Sequence, residues 1–144
     1  MLLSKLFEKA PEIEIKDLMV NSQDKVPNSI FFCVKGMLHD GHQFIKQAIK
    51  NGAICIVHSD DVEEIDPNIV YIQVKNVMSV MNRVASNFFG NPSYQMKMYG
   101  VTGTNGKSSI ACMLKNIINS YSACGYVGTI SIEYGNVKLP PLLT

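Results

Sequence analysis

Few features of this chain point to a nucleic acid, a membrane or a metal cluster. Of its 13 basic residues all are lysine except Arg83, and 12 acidic residues bring the net charge to +1. No basic stripe with interleaved aromatics occurs, so a nucleic acid is not an expected partner. No apolar run is long enough to cross a bilayer. The opening Met1-Leu2-Leu3-Ser4-Lys5-Leu6-Phe7 is too short and too soon charged for a secretory segment. No membrane partner is expected, and the expected compartment is the cytoplasm. The four cysteines, Cys33, Cys55, Cys112 and Cys124, form no C-x-x-C pair. That argues against a zinc site or disulfide framework and for buried, reduced thiols. His39, His42 and His58 lack the H-E-x-x-H spacing of a metal site.

What is present is enough for a folded core: 144 residues, 47% of them apolar. Residues 1–9 read as a short amphipathic helix and Ile15 to Val20 as a strand or its approach. Pro27 and Asn28 mark a turn. Ile30-Phe31-Phe32-Cys33-Val34 and Ala53-Ile54-Cys55-Ile56-Val57 read as buried strands, and Ile69 to Val74 as a third. Between the first two, Asp40-Gly41 opens a helix with Phe44, Ile45, Ala48 and Ile49 inward, stopped by Asn51-Gly52. The acidic stretch 58–68 reads as a solvated loop or short helix. Residues 76–89 form a helix with Val77, Val80, Met81, Val84, Ala85 and Phe88 on one side. Gly90-Asn91-Pro92-Ser93 ends it and is the expected boundary. The expected organisation is an α/β domain over 1–90, a linker over 91–94, and a second α/β unit over 95–144.

The second unit begins with the stretch that carries most chemistry, Gly100-Val101-Thr102-Gly103-Thr104-Asn105-Gly106-Lys107-Ser108-Ser109. The run Lys97 to Val101 reads as a buried strand leading into it. Ile110, Met113, Leu114, Ile117, Ile118 and Tyr121 form one apolar stripe of a helix leading out. Strand, glycine-rich turn and helix N-terminus together cradle phosphate. Gly103 and Gly106 allow backbone N–H groups to turn inward, and the first amides of the helix have no intrahelical partner. Gly103, Thr104, Asn105, Gly106, Lys107, Ser108 and Ser109 are the candidate ATP-binding residues. Lys107 supplies positive charge at the β/γ-phosphates and is the candidate catalytic residue. Ser108 is the candidate Mg²⁺ ligand, with Ser109 as a second. The loop is a variant, since Val101 stands where the common pattern has its first glycine and Gly100 comes one residue earlier. After the helix, Gly125–Val127 and Thr129–Tyr134 read as strands. Glu133 is the sole acid there and reads as part of an exposed hairpin. The expectation is a P-loop domain that the chain contains only in part.

These residues carry a resemblance. Ser29-Ile30-Phe31-Phe32-Cys33-Val34-Lys35-Gly36, with Asp40-Gly41-His42-Gln43-Phe44-Ile45 after it, is similar to a signature of the Mur ligases of peptidoglycan synthesis. Phe88 to Ser93 resembles that family's linker, Gly100 to Ser109 its phosphate loop, and Gly125 to Ile130 the segment that follows. Leu143-Thr144 looks like the opening of a substrate motif, and Asn21-Ser22-Gln23 resembles an Asp-Ser-Arg motif. Asn21 and Gln23 replace that motif's acidic and basic members, so their ion pair is absent. The likeness is greatest to the members that add the third residue of the stem peptide. The Asp-Gly-His signature is shared with the sister enzyme that adds the terminal dipeptide. Folylpolyglutamate synthases have a similar loop but no such N-terminal domain.

The resemblance implies a three-layer-like α/β UDP-binding domain followed by the start of a P-loop α/β ATP-binding domain. It implies an ATP- and Mg²⁺-dependent amide ligase, and a monomer is expected. Its substrates would be UDP-MurNAc-L-Ala-D-Glu and a diamino acid, L-lysine or meso-diaminopimelate, joined through an acyl phosphate. It places Val20, Ser22 and the loop around His39 at the uridine diphosphate end and Thr144 at the substrate. Because the implied acidic and histidine Mg²⁺ ligands and the carbamylated lysine fall beyond Thr144, the 144 residues alone are expected to be inactive. The alternatives are a stand-alone UDP-sugar- or ATP-binding module without catalysis, and an unrelated P-loop ATPase or kinase.

Overall fold

The computed structural model describes residues 1–36 and 39–141; Thr144, expected above at the substrate, lies outside the described residues. The chain divides into two compact units, Met1–Met96 and Lys97–Thr144. The short 3-10 turn Pro92–Gln95 therefore lies in the first unit, where the sequence suggests a linker over 91–94 and a second unit from 95.

The first unit is built on four parallel strands in the order β1 (Asp17–Met19), β2 (Ser29–Phe32), β3 (Ala53–His58) and β4 (Val70–Gln73). The central strands β2 and β3 are apolar without alternation because both their faces are covered. On one face Phe31, Cys33 and Ile56 pack against Ile45 and Ala48 of α1 (Ile45–Lys50). On the other, Ile30, Phe32, Cys55 and Val57 pack against Leu3, Leu6 and Phe7, and against Val77 and Val84 of α2 (Val77–Phe88). Three layers result. A register shift beside Ser29 lets β3 keep Ala53 and Ile56 on the same face although three positions separate them.

The expected helix over 1–9 is not formed. Only a 3-10 turn, Leu3–Lys5, is present. The backbone is drawn elsewhere: the Leu3 amide donates to the Ile13 carbonyl at 2.8 Å and the Met1 ammonium to the Ile15 carbonyl at 2.7 Å. Asp40 caps a second 3-10 turn, Gly41–Phe44, which runs directly into α1. Gly41 has no room for a side chain, since a Cβ there would lie 2.8 Å from the Val34 nitrogen.

The second unit contains α3 (Lys107–Asn119) and an antiparallel sheet of β5 (Tyr126–Val127), β6 (Ile132–Tyr134) and β7 (Val137–Leu139). The expected strand at Lys97 to Val101 is absent. A strand exists only with a partner, and no described strand of this unit pairs with that segment; Met98 and Tyr99 are exposed. The apolar stripe of α3 is real but uncovered. Ile110, Met113, Ile117 and Tyr121 are all more than half exposed, and the helix has no buried residue.

Candidate functional site

Two places bring together the residues expected to bind ligand. The first is the edge of the parallel sheet formed by the C-terminal ends of adjacent strands, where ligands of open α/β sheets bind. Val20 and Ser22 follow β1, and His39 follows β2. Val20 is exposed and Ser22 buried. The turn holding them is self-built: the Asn21 side-chain oxygen accepts from the Gln23 amide at 3.0 Å. Asn51 then ties it to α1's end by donating to the Ser22 carbonyl at 2.7 Å. In the β2–α1 loop the Gly36 amide donates to the His39 carbonyl at 2.8 Å, and the His39 ring stands edge-on to Phe44.

This edge also holds a cluster that reading the sequence for ligand spacing passes over. His42 Nδ1 lies 2.5 Å from Asp40 Oδ1. Its Nε2 accepts from the backbone amides of Ser59 and Asp60 at 3.1 and 3.2 Å. Those two bonds make Nε2 the acceptor, so Nδ1 carries the proton toward Asp40. Lys35 pairs with Asp60 at 2.6 Å. Ligand atoms of Asp40, His42 and Asp60 lie within 4.8 Å of one another, a spacing a cation could use. Yet both imidazole nitrogens are committed and Asp60 is paired, so the cluster acts as a clamp between the β2–α1 loop and the end of β3. The carboxyl of Asp40 is held below its ordinary range, first by the His42 amide and then by the imidazole. Asp60 is likewise held low, chiefly by the Lys35 ammonium. Only the adjacency of Asp40, Gly41 and His42 could have signalled this; Ser59 and Asp60 are distant in sequence.

The second place is the loop before α3. Gly103 and Gly106 have φ of +149° and +78°, which L side chains rarely adopt. Space is not the constraint: a Cβ on Gly103 would approach nothing nearer than 3.8 Å. Residues 102–107 are exposed. The helix's first backbone bond runs from the Ile110 amide to the Gly106 carbonyl at 2.9 Å. The amides of Lys107, Ser108 and Ser109 precede it and have no intrahelical acceptor. With glycine at the cap, no side chain makes a capping hydrogen bond to the helix's first amides. Lys107 Nζ folds back across the loop and donates to the Thr104 carbonyl at 3.0 Å. An open turn with unpaired amides, a positive helix end and a nearby ammonium suits a phosphate chain.

Glu133 is not a free carboxylate. It accepts from Lys115, from Lys138 at 3.0 Å and from Ser131 at 2.8 Å. The Lys115 bond leads in lowering its pKa to about 2. Its side chain is 20% exposed, which corrects the expectation of an exposed hairpin acid. Elsewhere, a cavity of about 600 Å³ beside β4 is lined by Phe7, Ile72 and Arg83 among others, and none of its lining residues is an expected site residue.

The family described as Mur ligase family, catalytic domain, matches residues 14–89, all within the first unit. The chain is 41% identical over 128 residues to the UDP-N-acetylmuramoyl-L-alanyl-D-glutamate–2,6-diaminopimelate ligase of Alkaliphilus metalliredigens, covering 88% of this chain and 26% of that protein. Its fold is like that of MurF from Acinetobacter baumannii, with a TM-score of 0.62 at 22% identity over 80% of this chain and 24% of that one. It is also like MurF from Thermotoga maritima in complex with ADP, with a TM-score of 0.58 at 27% identity over 83% and 27% of the two chains. The chain thus spans about a quarter of the length of the curated relatives it matches.

Proposed function

The chain belongs to the Mur ligase family, and from that premise we propose that it carries the uridine-nucleotide-binding domain and the phosphate loop of an ATP-dependent amide ligase of peptidoglycan precursor synthesis. The ligase joins a diamino acid to UDP-MurNAc-L-Ala-D-Glu. The name of the 41%-identical relative supports 2,6-diaminopimelate as that diamino acid. The observation that carries the reading is the open turn at the mouth of α3, with Gly103 and Gly106 at positive φ and Lys107 beside them. The same turn is the test of fit for ATP and Mg²⁺: its donors suit phosphate oxygens, and a hydroxyl stands in the first helical turn.

Each residue has a definite task. The amides of Lys107, Ser108 and Ser109, with the backbone from Gly103 to Gly106, bind phosphate oxygens. Lys107 exchanges the Thr104 carbonyl for a phosphate oxygen and offsets its charge. Ser108 offers an oxygen to Mg²⁺, with Ser109 next to it. ATP, when bound, supplies the phosphoryl group that activates the substrate's D-glutamate carboxylate. At the sheet edge, Ser22, the Val20 backbone and the His39 loop receive the uridine diphosphate, and the His42 clamp keeps that loop in place. Glu133, the one acid after the loop, is engaged by two lysines. Binding is therefore proposed for these 144 residues, and turnover for a whole ligase of the relatives' length. The compartment is the cytoplasm, where such precursors are built.

Calorimetric titration of the chain with ATP·Mg²⁺ tests the loop. Lys107→Ala is expected to weaken binding about tenfold or more, as loss of a charge-assisted contact requires. Equal affinity in both chains would remove the loop from the nucleotide site. Titration with UDP-MurNAc-L-Ala-D-Glu tests the sheet edge in the same way, and Ser22→Ala is expected to weaken it.

A further inference from the structure

β4 ends the parallel sheet on one side, with β3 as its neighbour among the described strands. In a parallel ladder the peptide groups of successive residues point alternately to the two sides of the strand. The Val74 amide donates to the His58 carbonyl at 2.8 Å, so positions 70, 72 and 74 bond toward β3. The N–H and C=O groups of Tyr71 and Gln73 therefore point away from the sheet. The described hydrogen bonds of these two residues use their side chains instead. The Tyr71 hydroxyl accepts from the Asp66 amide, and the Gln73 side-chain amide donates to Asp61.

The cavity of about 600 Å³ lies along this edge, and all four residues of β4 line it. Val70 and Ile72 pack toward the face that α2 covers, and Tyr71 toward the opposite face. A cavity on one face would meet alternate residues only. One that meets all four opens on the edge between the faces. Its other wall is the turn at 7–11, anchored by the buried Phe7, together with Arg83 of α2. The wall carries two cations, Lys9 and Arg83, against the single carboxylate of Glu8. Arg83, the one arginine of the chain, takes part in no ion pair among the described residues.

We propose that this edge is a docking site for an extended peptide bearing a carboxylate. The peptide adds as a strand beside β4, bonds to the Tyr71 and Gln73 backbone, and sets its acid at Arg83. The repeat of the free groups selects the class of ligand. They recur at every second residue, about 6.6 Å apart along the strand, which is the repeat of another extended chain and not of a nucleotide. Main-chain bonds supply affinity and the Arg83 charge supplies selectivity. The site is independent of the phosphate loop and of the uridine edge, since none of its lining residues belongs to either.

The test is an NMR titration of the 144-residue chain with the capped peptide Ac-Thr-Val-Glu-Val-Thr-NH2 at millimolar concentration. The amide signals of Tyr71 and Gln73 are expected to shift saturably. N-methylation of the peptide's backbone amides is expected to abolish the shifts. Arg83→Gln, a change at an exposed position of α2, is expected to weaken binding about threefold, the size of an exposed ion pair. It should leave unchanged the affinity of the same peptide with glutamine in place of glutamate. The rest of the spectrum shows that the variant is folded. No saturable shift at Tyr71 and Gln73, full binding of the N-methylated peptide, or an equal effect of Arg83→Gln on both peptides overturns the proposal. Shifts of these amides that follow protein concentration without peptide would assign the edge to a second copy of the chain and overturn it too. None of these outcomes bears on ATP affinity, so the phosphate-loop reading stands or falls by its own titration.

Discussion

The imidazole of His42 accepts a hydrogen bond from the backbone amide of Ser59 at 3.1 Å, joining the loop after β2 to the end of β3. The same nitrogen accepts from Asp60, and the other ring nitrogen donates to Asp40. This pins the start of α1 to its neighbouring strand on the edge where the uridine nucleotide is proposed to bind.

Removing that ring leaves two backbone donors without an acceptor. His42→Ala is expected to destabilise the chain by about 2 kcal/mol, within the range for partly buried unsatisfied groups. Urea unfolding followed by circular dichroism measures it. A change below about 0.5 kcal/mol, the size of an ordinary surface substitution, would show that water replaces the imidazole and that the clamp contributes little.

Acid should loosen the second unit through Glu133. Its folded pKa of about 2 is below the ordinary 4.5, so the ionised form is favoured by folding, first through Lys115 and then Lys138 and Ser131. The stabilisation is complete above 4.5 and is lost as pH falls from there toward 2. Amide signals of β6 and β7, followed by NMR against pH, should report that loss. Glu133→Gln should flatten the curve; an identical curve in the variant would assign the acid sensitivity to other carboxylates.

The two units should differ in hydrogen exchange. α3 buries none of its residues and leaves Ile110, Met113, Ile117 and Tyr121 in water, whereas β2 and β3 are covered on both faces. Protection follows burial of the hydrogen-bonded backbone. Amides from Lys97 onward are expected to exchange faster than those of β2 and β3, and equal protection throughout would contradict the burial seen here.

The thiols should divide two and two. Cys33 and Cys55 are fully buried and burial pushes both up to about 12, with Asp40 adding to the effect at Cys33; Cys112 and Cys124 are partly exposed. Only a thiolate reacts with disulfide reagents. Two equivalents are expected to react in the native chain and four after denaturation, and four fast native reactions would count against the buried core.

Much of the fold is legible along the chain. Unbroken apolar runs mark β2 and β3, because a strand covered on both faces has no polar side to show. Period-3.6 stripes mark α2 and α3. The phosphate loop is legible for a related reason: its glycines, lysine and serine are consecutive, and a helix mouth is built from neighbours in sequence. The first nine residues mislead, because the backbone bonds of Met1 and Leu3 go to Ile15 and Ile13 rather than into a helix. Lys97 to Val101 misleads as well, since apolar and β-branched residues favour a strand without providing the strand beside it.

Local order thus came from side-chain periodicity and from glycine placement, both properties of neighbouring residues. Folding in three dimensions brought His42 to Ser59 and Lys115 to Glu133, across 17 and 18 positions. Such pairs depend on strand order and on which face of a helix meets a sheet. A hydrogen bond is satisfied by atoms within about 3 Å in space, whatever the length of chain between them.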